Sequence, residues 1–191
     1  HAVALVCVKS DEMAKKGDFL FITKNGQVKR TAAAEYGIRR ARFAAINLKG
    51  DDELVGMVQV DPEDKDDIIL ITQLGMALRF KLDTVSCTGR ATAGVRGIDV
   101  GKDDEVRWFE IPKAGDMLFV LSDRGFGKRM LSDDVERQGR AGKGQKLLPM
   151  NKTGETGTQV AVCLNVTGAK SVRVEQKHGH TVLLNMDEIA V

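Results

Sequence analysis

The same short phrase occurs three times in this chain. "DFLFITKNGQVKR" (18–30), "DIILITQLGMALRF" (67–80) and "DMLFVLSDRGFGKR" (116–129) begin at Asp18, Asp67 and Asp116, a constant interval of 49 residues. Each opens with an aspartate and a short apolar run. A turn carrying Gly26, Gly75 or Gly125 follows, then a second segment that ends in cations. A fourth copy, "SVRVEQKHGHTVLL" (171–184), keeps Gly179 but has lost the cations. A fixed period of this size marks an array whose units bury their apolar faces against one another.

The apolar runs fall short of the about 10–12 residues a helix needs, and they are β-branched and aromatic, so they read as buried strands. Asn25-Gly26 and Arg124-Gly125 supply positive φ and predict hairpin turns. Later in each unit come a basic loop, a further strand such as "AAINL" (44–48), an acidic turn and a closing strand: "ELVGMVQV", "EVRWFEI" or "TQVAVCLNV". Roughly four strands per unit predict an all-β, propeller-like array. Approximate repeats cover 18–60, 67–111 and 116–166, with a partial one at 171–191. The opening "HAVALVCV" matches the closing type and places Cys7 near the position of Cys163. Residues 1–9 therefore read as the closing strand of a preceding repeat, and a start at His1 rather than Met reads as a fragment. "TAAAEYG" and "LSDDVER" predict single helical turns. Arc and closed ring both remain compatible with the pattern.

The basic loops are the chemically informative part. A Gly-Arg pair follows the turn glycine by 14 residues in two units (Gly75 to Gly89, Gly125 to Gly139). It opens "GRATAGVRGI" (89–98) and "GRAGKGQKLL" (139–148), and the first unit has "RRARFAAINL" (39–48) at the matching place. A nucleotide-binding P-loop requires GxxxxGK[ST] leading into a helix. Here Gly142-Lys143 is followed by Gly144, with Gly139 three residues before Gly142, so that reading fails. A polymer of phosphates fits better. Arg137, Arg140, Lys143 and Lys146 recur every third residue, which puts them on one edge of an extended backbone. Glycines let the main chain approach a phosphate and offer its N–H groups. Asn and Gln are sparse in these loops, so they position without reading bases.

The segments "GMALRFKLDTVSCTGRATAGVRGIDV" (75–100), "NGQVKRTAAAEY" (25–36) and "RGFGKR" (124–129) closely resemble the C-terminal domain of the DNA gyrase A protein, over essentially the whole chain. The resemblance implies a β-pinwheel whose four-stranded blades exchange strands. It also implies double-stranded DNA wrapped on a basic rim in support of negative supercoiling. The implied protein partners are the rest of the gyrase A protein and, through it, the gyrase B protein. The family heptapeptide Q-R-R-G-G-K-G is matched at five of seven places, by Gln138, Arg140, Gly142, Lys143 and Gly144, with Gly139 standing for an arginine and Ala141 for a glycine. It lies in the third full unit, whereas the family box belongs to the first blade. A degenerate copy is expected, which leaves the decatenating relative, topoisomerase IV, as an alternative beside a protein-docking propeller. The expected DNA-contacting cations are Lys29, Arg30, Arg39, Arg40, Arg42, Arg79, Arg90, Arg96, Lys128, Arg129, Arg137, Arg140, Lys143 and Lys146.

No catalytic role is expected. Enzymes of this kind cut DNA with a tyrosine, but Tyr36, the one tyrosine here, sits in a repeat motif without an acid and metal constellation and reads as structural. The chain is thus expected to be a non-catalytic domain of an ATP-dependent topoisomerase. His178 and His180 flank a turn glycine and lack a third ligand, so no metal and no cofactor are expected. Trp108 reads as packing, and Cys7, Cys87 and Cys163 read as core or near-core thiols. The acidic blocks, such as 51–53 and 103–105, read as solubilising surface. No run of about 18 apolar residues occurs, so no membrane contact is expected. A cytoplasmic home is expected from the scattered cysteines, and the resemblance implies association with the nucleoid.

Overall fold

The structure, a computed structural model, describes residues 16–38, 42–61, 63, 65–150, 153–189 and 191. The first unit supplies β1 (Asp18–Thr23), β2 (Gln27–Ala32) and β3 (Leu54–Val60). The second supplies β4 (Asp67–Thr72), β5 (Met76–Lys81), β6 (Val95–Arg96) and β7 (Val106–Glu110). The third supplies β8 (Met117–Ser122), β9 (Gly127–Leu131), β10 (Gln145–Lys146) and β11 (Val160–Asn165), and the last β12 (Ser171–Glu175) and β13 (Thr181–Asn185). The sheets run β3-β1-β2-β6, β10-β5-β4-β7, β11-β8-β9 and β12-β13, all antiparallel.

The fourth strand of a sheet is therefore lent by the next unit. β6 leaves the second unit to pair with β2, through Gln27↔Arg96 and Val28↔Val95. β10 leaves the third to pair with β5, through Gln145↔Ala77 and Lys146↔Met76. Residues 44–48, expected as a strand, are irregular. They occupy the place of these lent strands, and among the described residues no preceding sheet offers them an edge.

Side chains alternate across a strand, so an unbroken apolar run signals burial on both faces. All six residues of β1 and of β4 are buried. Leu20 and Ile22 pack with Ile68, Leu70 and Leu78 between the first two sheets. Ile69 and Ile71 turn the other way to meet Leu118 and Val120, and Phe119 and Leu121 meet Met186 and Val172. The units also join through backbone: Val106 N–H donates to Lys24 O and Val160 N–H to Gln73 O, both at 2.8 Å. Gly26, Gly75 and Gly125 carry φ of 76°, 83° and 83° at the hairpin turns, as the sequence predicts.

Short 3-10 turns follow the second strand of every unit, at Ala33–Tyr36, Leu82–Thr84, Ser132–Asp134 and Met186–Glu188. The acidic blocks do more than solubilise. Asp52 Oδ1 accepts the Asn25 N–H and Asp104 Oδ1 the Leu74 N–H, both at 2.9 Å, so each fastens a hairpin turn to the start of a closing strand. Trp108 packs against the core between the second and third sheets. Cys163 is buried, and burial pushes its thiol up to about 12. Cys87 is exposed, contrary to expectation, because it lies in a loop where the next unit has Arg137; Cys7 lies outside the described residues. Among the described residues no helix is long and apolar enough to cross a membrane, and no cluster of three or more metal-ligating side chains occurs.

Candidate nucleic-acid interface

Strand lending fixes where the basic loops lie. Each loop runs onto the preceding hairpin before its two-residue strand pairs there, so 88–98 is laid across the first unit and 138–148 across the second. Thr88 N–H donates to Arg30 O and Gln138 N–H to Arg79 O, at 2.9 and 2.8 Å. The approach is so close that glycine is required. A Cβ on Gly94 would sit 2.9 Å from Val28 O, and one on Gly144, at φ 75°, would collide with the Ala77 carbonyl.

The loops then touch each other. Asn47 N–H of the first loop donates to Thr92 O of the second at 3.0 Å. Ala141 N–H of the third donates to Gly97 O at 2.7 Å, Asp99 N–H donates to Gly142 O at 2.8 Å, and Arg140 Nη1 donates to Arg96 O at 2.6 Å. Three basic loops thus form one continuous ledge, stitched from unit to unit.

Not every cation expected on that ledge is free. Lys29 is 1% exposed, and its Nζ donates to Ala45 O at 2.9 Å and to Arg90 O at 2.6 Å. It has no reach to a phosphate, and burial pulls its ammonium below the usual lysine range. Arg30 is paired with Asp18, with only 11% of its side chain exposed. Arg79 bonds Asp67 at 2.6 Å and Asp133 at 2.9 Å. Arg137 adds Nε and Nη2 contacts to the same Asp67, at 2.9 and 2.8 Å. A cation opposed by a buried carboxylate presents little net field to a partner. Lys29, Arg30 and Arg79 are therefore corrected to structural cations committed inside the array, whereas Arg137 holds Asp67 with half of its side chain still exposed.

Arg129 occupies the place of Arg30 and Arg79 without their carboxylate. Asp116 accepts instead from Lys113 N–H and Asn165 Nδ2, both at 2.9 Å, and from Thr167 Oγ1 at 3.1 Å. The Lys113 N–H leads in holding its carboxyl below the usual range. Arg129 Nε is left buried without a partner among the described residues, as are Nε of Arg90 and of Arg140.

The remaining expected cations face outward to different degrees. Arg42, Arg96, Lys143 and Lys146 are exposed, and Lys128, Arg90 and Arg140 are half-buried. Arg96 makes a loose 3.4 Å contact with Asp99. Arg90 stacks its guanidinium 5.2 Å from the Phe43 ring centroid, a contact that sequence alone did not reveal. Arg39 and Arg40 lie outside the described residues. In the heptapeptide-like motif, Ala141 has φ 69°, the left-handed conformation that the family pattern assigns to a glycine.

Comparison with known proteins follows the same units. The sequence model of the family described as "DNA gyrase C-terminal domain, beta-propeller" matches residues 17–61, 66–113 and 116–157. The DNA gyrase A protein of Deinococcus deserti is 38% identical over 181 residues, 92% of this chain and 22% of that protein. The DNA topoisomerase 4 A protein of Bacillus subtilis is 39% identical over 131 residues, 68% of this chain and 16% of that protein. The chain thus spans about a fifth of the length of the curated relatives it matches. A crystal structure of the C-terminal domain of DNA topoisomerase IV superposes with TM-score 0.85 at 26% identity, covering 96% of this chain and 56% of that one. A DNA gyrase A C-terminal domain superposes with TM-score 0.71 at 20% identity, covering 91% and 57%.

Proposed function

The chain belongs to the DNA gyrase C-terminal domain family, and from that premise we propose that it binds duplex DNA without reading sequence and bends it along the stitched ledge of basic loops. Supporting this is the contact of three successive loops, each offering outward cations: Arg42, then Arg90 and Arg96, then Arg140, Lys143 and Lys146. Such a ledge follows a curved line of phosphates and has few groups suited to base edges. Smooth bending of a 20–30 bp site by 40–90° costs on the order of 1–6 kcal/mol, which several phosphate contacts offset. In the longer polypeptide this wrap would belong to the gyrase A protein and, through it, act with the gyrase B protein in negative supercoiling. The domain itself would carry no cutting, ATPase or ligase chemistry. Its setting would be the nucleoid.

The match to the topoisomerase IV domain favours a second assignment, in which the same ledge guides substrate choice for decatenation. A circularly permuted set of DNA fragments in a gel-shift assay tests the common core of both. Position-dependent mobility that is equal across unrelated sequences is expected. Binding that leaves mobility independent of site position would overturn wrapping and favour a protein-docking propeller.

A further inference from the structure

Lys29 lies in the interior of an aromatic nest. Its Nζ is 5.3 Å from the Phe21 centroid. Tyr36 packs its ring against Phe19 and Phe21, with centroids 5.3 and 5.9 Å away, and meets Phe43 at 5.9 Å. Phe43 in turn carries the Arg90 guanidinium. The Ala45 carbonyl takes two donors at 2.9 Å, Lys29 Nζ and Tyr36 Oη, so the first loop is pinned to its own unit twice. The second loop is held at this point by Lys29, through Arg90 O.

The repeat shows that this is not a general requirement of the fold. The matching position is Lys128 in the third unit, half-buried on an edge strand with no lent strand beside it among the described residues, and Leu78 in the second, which lies beneath Gly142 of the third loop. A leucine there suffices for packing. A buried ammonium carries a desolvation cost that an apolar residue avoids, so its presence needs a reason other than filling space. The geometry supplies one. A point donor with three N–H bonds can hold carbonyls from two different units at once, which no hydrocarbon can.

We infer that Lys29 is a positioning residue, a buried clamp that fixes the first and second basic loops relative to each other and thereby sets the line of cations Arg42, Arg90 and Arg96. It rests on the reading of the ledge as a DNA track, and it assigns Lys29 no contact with DNA. Cutting the clamp leaves every outward charge in place but lets the second loop slide against the first.

The test combines a DNA-free and a DNA-bound measurement on Lys29→Met, which keeps the volume and removes the donors. Without DNA, amide exchange at Asn47 and Thr92 is expected to quicken about tenfold or more, because the bonds Asn47 N–H to Thr92 O and Thr92 N–H to Gly89 O lose their anchor. With DNA, the slope of log affinity against log salt is expected to become shallower by about 0.9–1.8, the loss of one or two phosphate contacts. A lysine that merely stabilises the sheet would lower the melting temperature and leave both readouts of the folded protein unchanged, and that result overturns the inference.

Tyr36→Phe removes the other donor to Ala45 O and keeps Lys29. It should quicken Asn47 while sparing Thr92, and equal acceleration of both would refute a separate hold on the second loop, even if Lys29→Met does not fold. Unmodified protein that fails to bend DNA would sink the proposed function instead, with the exchange data still deciding the clamp.

Discussion

Salt dependence separates outward cations from those tied to carboxylates. In the described residues Arg42, Arg90, Arg96, Lys128, Arg140, Lys143 and Lys146 lack a close buried carboxylate partner. If about six of them neutralise phosphates, log affinity falls against log salt with a slope near −5. Raising salt from about 50 to 200 mM then weakens binding about a thousandfold. Replacing Lys143 and Lys146 together by alanine should make the slope shallower by about 1.8 and cut that loss to about a hundredfold. Both lysines are exposed and make no ion pair among the described residues, so the fold should be untouched.

Arg79→Met is the contrasting variant. Its guanidinium is committed to Asp67 and Asp133, so the salt slope should hold, while stability falls by about 2–3 kcal/mol, moderated because Arg137 still holds Asp67. Filter binding or fluorescence anisotropy over a salt series, with chemical denaturation alongside, measures both quantities. A slope that changes for Arg79→Met and stays fixed for the double lysine variant would refute the division of cations drawn from the geometry.

Two further outcomes are expected. Ala141→Gly relieves a left-handed backbone at φ 69° and should stabilise the protein by about 0.5–1 kcal/mol in denaturant melts, whereas Ala91→Gly at the matching place, with no positive φ, should destabilise it slightly. Asp116 is held below the usual carboxylate range, first by the Lys113 N–H. It therefore lends stability that is present above the ordinary aspartate value and is lost as pH falls through the lowered one. Melts between pH 7 and pH 2 should show that loss, and Asp116→Asn should flatten it. An unchanged pH profile would remove this role.

Much of the fold was legible because repetition multiplies weak signals. Asp18, Asp67 and Asp116 marked the strand starts to within a residue, and Gly26, Gly75 and Gly125 marked the turns. The lent strand was not legible from composition. Val95-Arg96 and Gln145-Lys146 are two residues long and become strands only by pairing with an edge in another unit, and only the family resemblance pointed to the exchange. The same non-local cause explains "AAINL", where a good strand sequence has no described sheet to join. In the site, charge was visible and pairing was not. Lys29 and Lys146 look alike in a sequence, yet one is 1% exposed inside an aromatic nest and the other faces solvent. The nest was foreshadowed only by the clustering of Phe19, Phe21, Tyr36 and Phe43 in the first unit.

That sorting of charge resolves a conflict between composition and site. A net charge of +2 is a weak basis for holding a polyanion, since acids nearly match bases in number. Many of the acids, however, are engaged inside the array. Asp18 and Asp67 face arginines that anchor the loops, Asp52 and Asp104 fasten turns, and Asp116 ties the third hairpin to the residues beside β11. Each carboxylate so engaged stabilises the scaffold and is withdrawn from the ledge, where it would repel phosphate. The first two units thus carry two coupled instructions, an inward acid–base pair that seats the next loop and outward cations that the seated loop presents. Where the inward pair is absent, as at Arg129, the acid has turned to a different neighbour and leaves the guanidinium without a carboxylate opposite it among the described residues. Local field at such a surface depends on which charges are neutralised in place, and so a nearly neutral chain can present a strongly basic edge.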